Sequence, residues 1–225
     1  MKFIHLLFLF CPIFLLSQSH FEKGEKLYGQ KKYNEAEKEF QESLKTNPNH
    51  SKTIEYLGDI AGIQKNWDAA ITHYKNLKIS FPKNATYWYK YGGAMGMKAK
   101  ESNKFKALGM IDEVEQSFLT AAKLDENHIE TRWALVMLYV ELPAIIGGSE
   151  KKAQHYANQL MALSKVDGYL AKGHIDVYFN RYTKAELNYK KAHEIGNSNT
   201  TFEKLYDLYL NKLKDKTKAN RLKQE

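Results

Sequence analysis

Cysteine occurs once in this chain of 225 residues, at Cys11, and proline four times. One thiol forms no internal disulfide and no cysteine metal cluster, so the fold has to be held by packing alone. Catalytic signatures are missing too: there is no glycine-rich phosphate loop, no His-Glu-x-x-His helix and no Gly-x-Ser-x-Gly elbow. His20, His50, His73, His128, His155, His174 and His193 are scattered without metal-ligand spacing. No enzyme activity, no metal and no cofactor is therefore expected.

Long apolar stretches are confined to the beginning. Residues 3–16 follow Lys2, are apolar apart from His5, and give way to Ser17-Gln18-Ser19. A basic start, an apolar core and a small-x-small exit are the layout of a secretory signal peptide over 1–19, with cleavage expected after Ser19. The competing reading is an uncleaved anchor, but fourteen residues interrupted by Pro12 fall short of the roughly 20 a spanning helix needs. Cys11 follows the bulky Phe10, which does not suit lipoprotein processing. The expected location is therefore outside the cytoplasm, in the periplasm or secreted.

What the chain does have is an interval. Ala36 to Ala70, Phe40 to Tyr74 and Pro48 to Pro82 are each 34 residues apart. The copy over 51–84 carries Leu57, Gly58 and Ala61, then Trp67, Ala70, Tyr74, Leu77 and Pro82. The copy over 17–50 has Gly24, Leu27, Tyr33, Ala36, Phe40 and Pro48 at the same offsets, and the copy over 166–199 has Gly173, Tyr182, Ala185, Tyr189 and Ala192. Small residues at such positions let helices approach, large rings fill the space between them, and proline stops the second helix of each copy. Gly58 and Ala70 are expected where neighbouring helices nearly touch, with Trp67 and Tyr74 filling the wedge to the next copy.

This pattern resembles the tetratricopeptide repeat, a helix–turn–helix unit that stacks because it cannot bury its apolar face alone. The resemblance implies an all-α, right-handed solenoid of about five units, over 17–50, 51–84, 85–128, 129–165 and 166–199, followed by a capping helix and basic tail over 200–225. Phe202, Leu205, Tyr206, Leu208, Tyr209 and Leu213 have the spacing of that cap. Lys212 to Glu225 is polar and is expected to fray.

The two middle copies depart from the pattern. Phe118 lies 44 residues after Tyr74, so ten residues have been added, around Ala99 to Gly109, as an extended helix or exposed arm. In the fourth copy Pro143 is expected to end a helix, Gly147-Gly148 to turn and Ser149 to cap the next helix. Together with Ala121 to Asn127, this Pro-Ala-Ile-Ile-Gly-Gly-Ser segment resembles small exported bacterial tetratricopeptide-repeat proteins with an enlarged central repeat pair.

In such arrays the first helices line a concave face. Their outward positions here are Tyr28; Lys52, Glu55 and Asp59; Thr86, Tyr89 and Met97; Trp133, Met137 and Glu141; and Asp167, Leu170, His174 and Tyr178. Members that grip chaperone C-termini need Lys and Asn where this chain has Glu55 with Asp59 and Tyr89 with Gly93, so that specificity is not expected. The groove candidates are Tyr28, Glu55, Asp59, Tyr89, Met97, Trp133, Met137, His174 and Tyr178, with Trp133, Met137 and Tyr178 as the sharpest grouping. Aromatic and methionine surfaces suit a protein or peptide partner. Stacked aromatics would also suit a carbohydrate or cell-wall ligand, which is the alternative.

Charge adds little to either reading. The formal balance is 34 − 26 = +8, and Lys212 to Glu225 holds six basic and two acidic residues. Basic charge gathered at one end does not line a groove, which argues against nucleic acid. Membrane contact is expected only through that tail.

Overall fold

The computed structural model describes residues 19–224, and the expected leader, along with the anchor alternative, lies outside the described residues but for its final Ser19. Five helical hairpins follow one another: α1 (His20–Gly29) with α2 (Tyr33–Thr46), α3 (Ser51–Ile63) with α4 (Trp67–Ser80), α5 (Ala85–Glu101) with α6 (Lys104–Leu124), α7 (Ile129–Glu141) with α8 (Glu150–Leu163), and α9 (Lys165–Tyr178) with α10 (Tyr182–Gly196). α11 (Asn199–Asp207) continues into a π-helical turn at Leu208–Lys212, and α12 (Lys216–Leu222) is the last element. No strand occurs among the described residues, and none of their helices is long and apolar enough to cross a membrane.

Local chemistry sets the helix ends. Asn66, Asn84, Asn103, Ser149 and Ser164 each accept a hydrogen bond from a backbone N–H in the first turn of the helix that follows. Ser19 and Glu22 close a capping box at the start of α1, so processing after Ser19 would leave that helix without its cap. Pro48 and Pro82 stand just beyond α2 and α4, where their missing N–H and fixed φ prevent another turn.

Each hairpin is locked by a small residue facing a large one. A Cβ on Gly24 would lie 2.6 Å from the Phe40 ring, one on Gly58 2.6 Å from Tyr74, and one on Gly173 2.3 Å from Tyr189. The ring therefore fills space within its own hairpin and also meets the next one, as expected: Phe40 stacks on Tyr56 at 4.8 Å, and Tyr74 joins the cluster that holds Tyr87 and Tyr91. The fourth hairpin exchanges the sizes: Val136 stands in the glycine register and Ala157 in the ring register, both fully buried. Buried residues of the second to fifth hairpins, running from Ala61 to Ile175, form one continuous apolar cluster.

The ten added residues lengthen helices rather than loops. The third hairpin spans 40 residues, Ala85 to Leu124, against 30 for Ser51 to Ser80, and projects past its neighbours as an arm tipped by Ser102-Asn103. In the fourth hairpin α7 ends before Pro143, and a 3-10 turn, Ala144–Ile146, precedes Gly147, whose φ of 104° is left-handed. Gly148 has no room for a side chain: its Cβ would fall 1.8 Å from the Leu142 carbonyl oxygen.

The end of the chain differs from expectation. The segment expected to fray is capped by Asp215 and forms α12, whose Ala219 and Leu222 are buried beside Leu205 and Tyr209. Lys218 adds an ion pair to Glu186 at 2.8 Å.

Candidate partner-binding cleft

The two enlargements face each other across a cleft. It encloses about 830 Å³ between α5, α6, α7 and the 3-10 turn. Tyr89, Gly93, Gly96 and Met97 supply the α5 wall, Ile111, Val114 and Phe118 the α6 wall, and Ala134, Met137 and Leu138 the α7 wall. Leu142, Pro143, Ile145 and Ile146 complete it from the turn. Ile145 is 93% exposed, so this wall presents an uncovered apolar side chain.

Charge is confined to the mouth. Lys100 and Glu141 bridge α5 and α7 at 2.6 Å, and Lys104, which also lines the cleft, has no ion-pair partner among the described residues. Lys98 lies beside them but is held by Asp68. Tyr89 lies 5.2 Å from the His128 ring and 6.1 Å from Phe118, and burial raises its phenol pKa, so it is a neutral wall.

The structure brings three of the candidates, Tyr89, Met97 and Met137, into this cleft; the others lie elsewhere. The indole N–H of Trp133 donates to Asp167 at 2.8 Å, and its ring packs against both the middle and the C-terminal apolar clusters. Tyr178 sits at the exposed end of α9, edge-on to Phe179, and Tyr28 packs against Tyr33 and Tyr56. The grouping of Trp133 and Tyr178 with Met137 is thus not assembled in one pocket. Leu170, placed by register on the open face, is a core residue instead. His174 is largely buried; burial, with the positive charge of Lys204 nearby, pushes its pKa down, which favours the neutral ring. Leu108, Ile145 and Ile146 were missed because they come from added segments that have no position in the repeat register, and Ile111 because its register position is that of Trp67, on the second helix and not among the groove positions.

Glu55 and Asp59 do not stand free. Lys90 from the next hairpin reaches back to Glu55 at 2.7 Å and to Asp59 at 2.6 Å, and Asp59 also accepts from the Tyr74 hydroxyl at 2.6 Å. Burial pushes the Glu55 pKa up, but Lys90 and Lys52 outweigh it and hold the carboxyl below its usual 4.5. For Lys90 burial works downward, and Asp59 and Glu55 overcome it to raise the ammonium above 10.5. The depressed carboxylate contributes stability above pH 4.5 that is lost as pH falls through its folded value; the raised ammonium contributes below pH 10.5 and its share is lost as pH climbs through its folded value.

Lys90→Met is expected to cost about 1–3 kcal/mol at pH 7, less than a fully buried pair because the cluster keeps some water contact. It should also flatten the acid limb. Glu55, left beside Asp59 with only the half-exposed Lys52 as a cation, takes up a proton more readily than in the parent, so the variant loses less stability from pH 7 to pH 5. Urea midpoints at the two pH values check this; parallel curves for variant and parent would refute it.

Residues 17–50 match the family model for the tetratricopeptide repeat. No curated protein matches by sequence. Among solved structures, a thermophilic tetratricopeptide-repeat protein of Thermus thermophilus superposes with a TM-score of 0.70 at 18% identity, covering 85% of this chain and 97% of that one. YrrB, described as a tetratricopeptide-repeat protein with an unusual peptide-binding site, gives 0.54 at 14% identity over 81% of this chain and 87% of that one. Human IFIT1, solved as a dimer with PPP-AAAA, gives 0.67 at 20% identity over 88% of this chain and 47% of that one. At these identities the likeness shows the fold: a solenoid of the tetratricopeptide-repeat kind.

Proposed function

We propose that this chain is a non-enzymatic interaction scaffold of the cell envelope that holds a protein or peptide partner in the cleft between α5, α6 and α7. One observation carries the reading. Both departures from the regular repeat, the lengthened α5–α6 hairpin and the Pro143–Gly148 turn, build walls of the same cleft, whose interior is apolar and whose exposed side chains have no cover among the described residues. Repeats of this family serve protein–protein contacts in general, and the peptide-binding site named for YrrB gives a precedent on the same fold.

The PPP-AAAA ligand named with IFIT1 is a weaker precedent here. A nucleic-acid groove presents cations and stacking rings along its length, and among the described residues the lysines lining this cleft are Lys100 and Lys104, at its mouth. A sugar-binding reading has little support either, since the exposed Tyr178–Phe179 pair meets at 77° instead of forming a platform. The envelope location rests on the apolar leader and its small-residue exit.

A photo-crosslinking amino acid placed at Met137 in the native host tests the reading. It should trap a defined partner segment, identified by mass spectrometry, that the same amino acid at Glu186 does not trap. Identical background at both positions would reject the cleft as the partner site.

A further inference from the structure

We infer that the segment held in the cleft is an amphipathic α-helix of about three turns with an acidic outer face; this rests on the reading of the cleft as the partner site. The first argument is hydrogen bonding. Three of the four walls are α-helices whose backbone groups are already paired internally, and the lining side chains between Tyr89 and Leu138 are almost all apolar. An extended peptide laid there would bury N–H and C=O groups with nothing to meet them, whereas a helix brings its own backbone already satisfied. The second argument is length. From Tyr89 to Lys100 the α5 wall runs twelve residues, about 16 Å at the helical rise, which is three turns. Apolar side chains at i, i+3, i+4, i+7 and i+11 of a partner helix would lie along it.

Charge supplies the sign of the outer face. The mouth carries Lys100, already shared with Glu141, and Lys104, with no ion-pair partner among the described residues, so a carboxylate on the incoming helix completes a pair that a lysine there would oppose. The apolar side chains at the rim fit the same occupant. Met97 and Leu108 are partly exposed and Ile145 almost wholly so, and a helix seated between them would cover all three.

The test uses three fluorescein-labelled synthetic peptides of 16 residues and fluorescence anisotropy with the chain as it stands. One has leucine at i, i+3, i+4, i+7 and i+11 with glutamate opposite; the second has the same composition with leucine at alternate positions; the third carries lysine in place of glutamate. The first should bind at least tenfold more tightly than the other two. Met137→Glu should weaken it at least tenfold, and Lys104→Glu about threefold with a flatter salt dependence, while circular dichroism of both variants stays unchanged. Equal binding of the first two peptides, or indifference to Met137→Glu, overturns the helix. So does saturable binding of palmitate at this cleft with no binding of any peptide. A Met137 crosslink to a partner segment that proves extended would overturn the helix and leave the scaffold reading standing, so the two can fail separately.

Discussion

Gly58→Val combined with Tyr74→Ala should be markedly more stable than the two separate losses predict. Alone, Gly58→Val drives a side chain into a ring whose Cε1 would be 2.6 Å from the new Cβ, and overpacking of this kind costs about 1–3 kcal/mol. Alone, Tyr74→Ala empties the space over Gly58 and removes the hydrogen bond to Asp59, for which about 3–5 kcal/mol is the scale of a buried aromatic truncation. In the double variant the valine enters the space the ring has left. The fourth hairpin already uses that arrangement, with Val136 and Ala157 fully buried in the registers of Gly58 and Tyr74. A coupling of about 2 kcal/mol or more in favour of the double variant is therefore expected, read as urea midpoints of all four proteins. Simple additivity would show that Val136 and Ala157 are not a size exchange.

The same pairing explains why the fold was legible. A glycine followed sixteen residues later by a ring, as in Gly24 and Phe40, Gly58 and Tyr74, or Gly173 and Tyr189, leaves a mark in sequence because both partners lie in one hairpin. The fourth hairpin hid its lock by reversing it. Groove membership was less legible because register says which way a side chain faces but not what comes to meet it. Glu55 and Asp59 face outward until Lys90, from the next hairpin, closes on them, and Trp133 is taken up by Asp167. Much of the cleft was invisible, since Leu108, Ile145 and Ile146 belong to added segments whose contacts depend on how far apart α5 and α7 stand. The order of the tail was missed for a related reason: α12 buries two residues of seven, too few to give a period.

Arg132→Met is expected to loosen the cleft itself. The residue is 4% exposed and its guanidinium serves three backbone oxygens: Nη1 donates to Asp125 at 2.8 Å and His128 at 3.2 Å, and Nη2 to Ala122 at 3.3 Å. Two of these oxygens belong to the C-terminal end of α6, where carbonyls lack helical partners and the dipole favours a cation. Burial pushes the Arg132 pKa down, yet a guanidinium starts so high that it stays charged across the range in which proteins fold. Methionine fills much of the same volume but removes the guanidinium's three donations, leaving Asp125 with only the long bond from the His128 N–H at 3.3 Å, a loss of about 2–4 kcal/mol once partial access of water is allowed for. For a chain of this size that is roughly 5–15 °C in Tm. Lysine should recover only part of it, because a point charge on a flexible stem cannot fork to three acceptors. Arg132 also ties α6 to α7, and those helices carry Val114, Phe118 and Met137 on opposite walls. The glutamate-faced helical peptide should accordingly bind at least fivefold more weakly to Arg132→Met. Arg181→Met, which breaks the bonds to Glu150 and Asp176 away from the cleft, should lower Tm and leave that binding intact. If both variants weaken the peptide equally, the spacing of α6 and α7 is not what shapes the cleft, and its walls must be set by the solenoid as a whole.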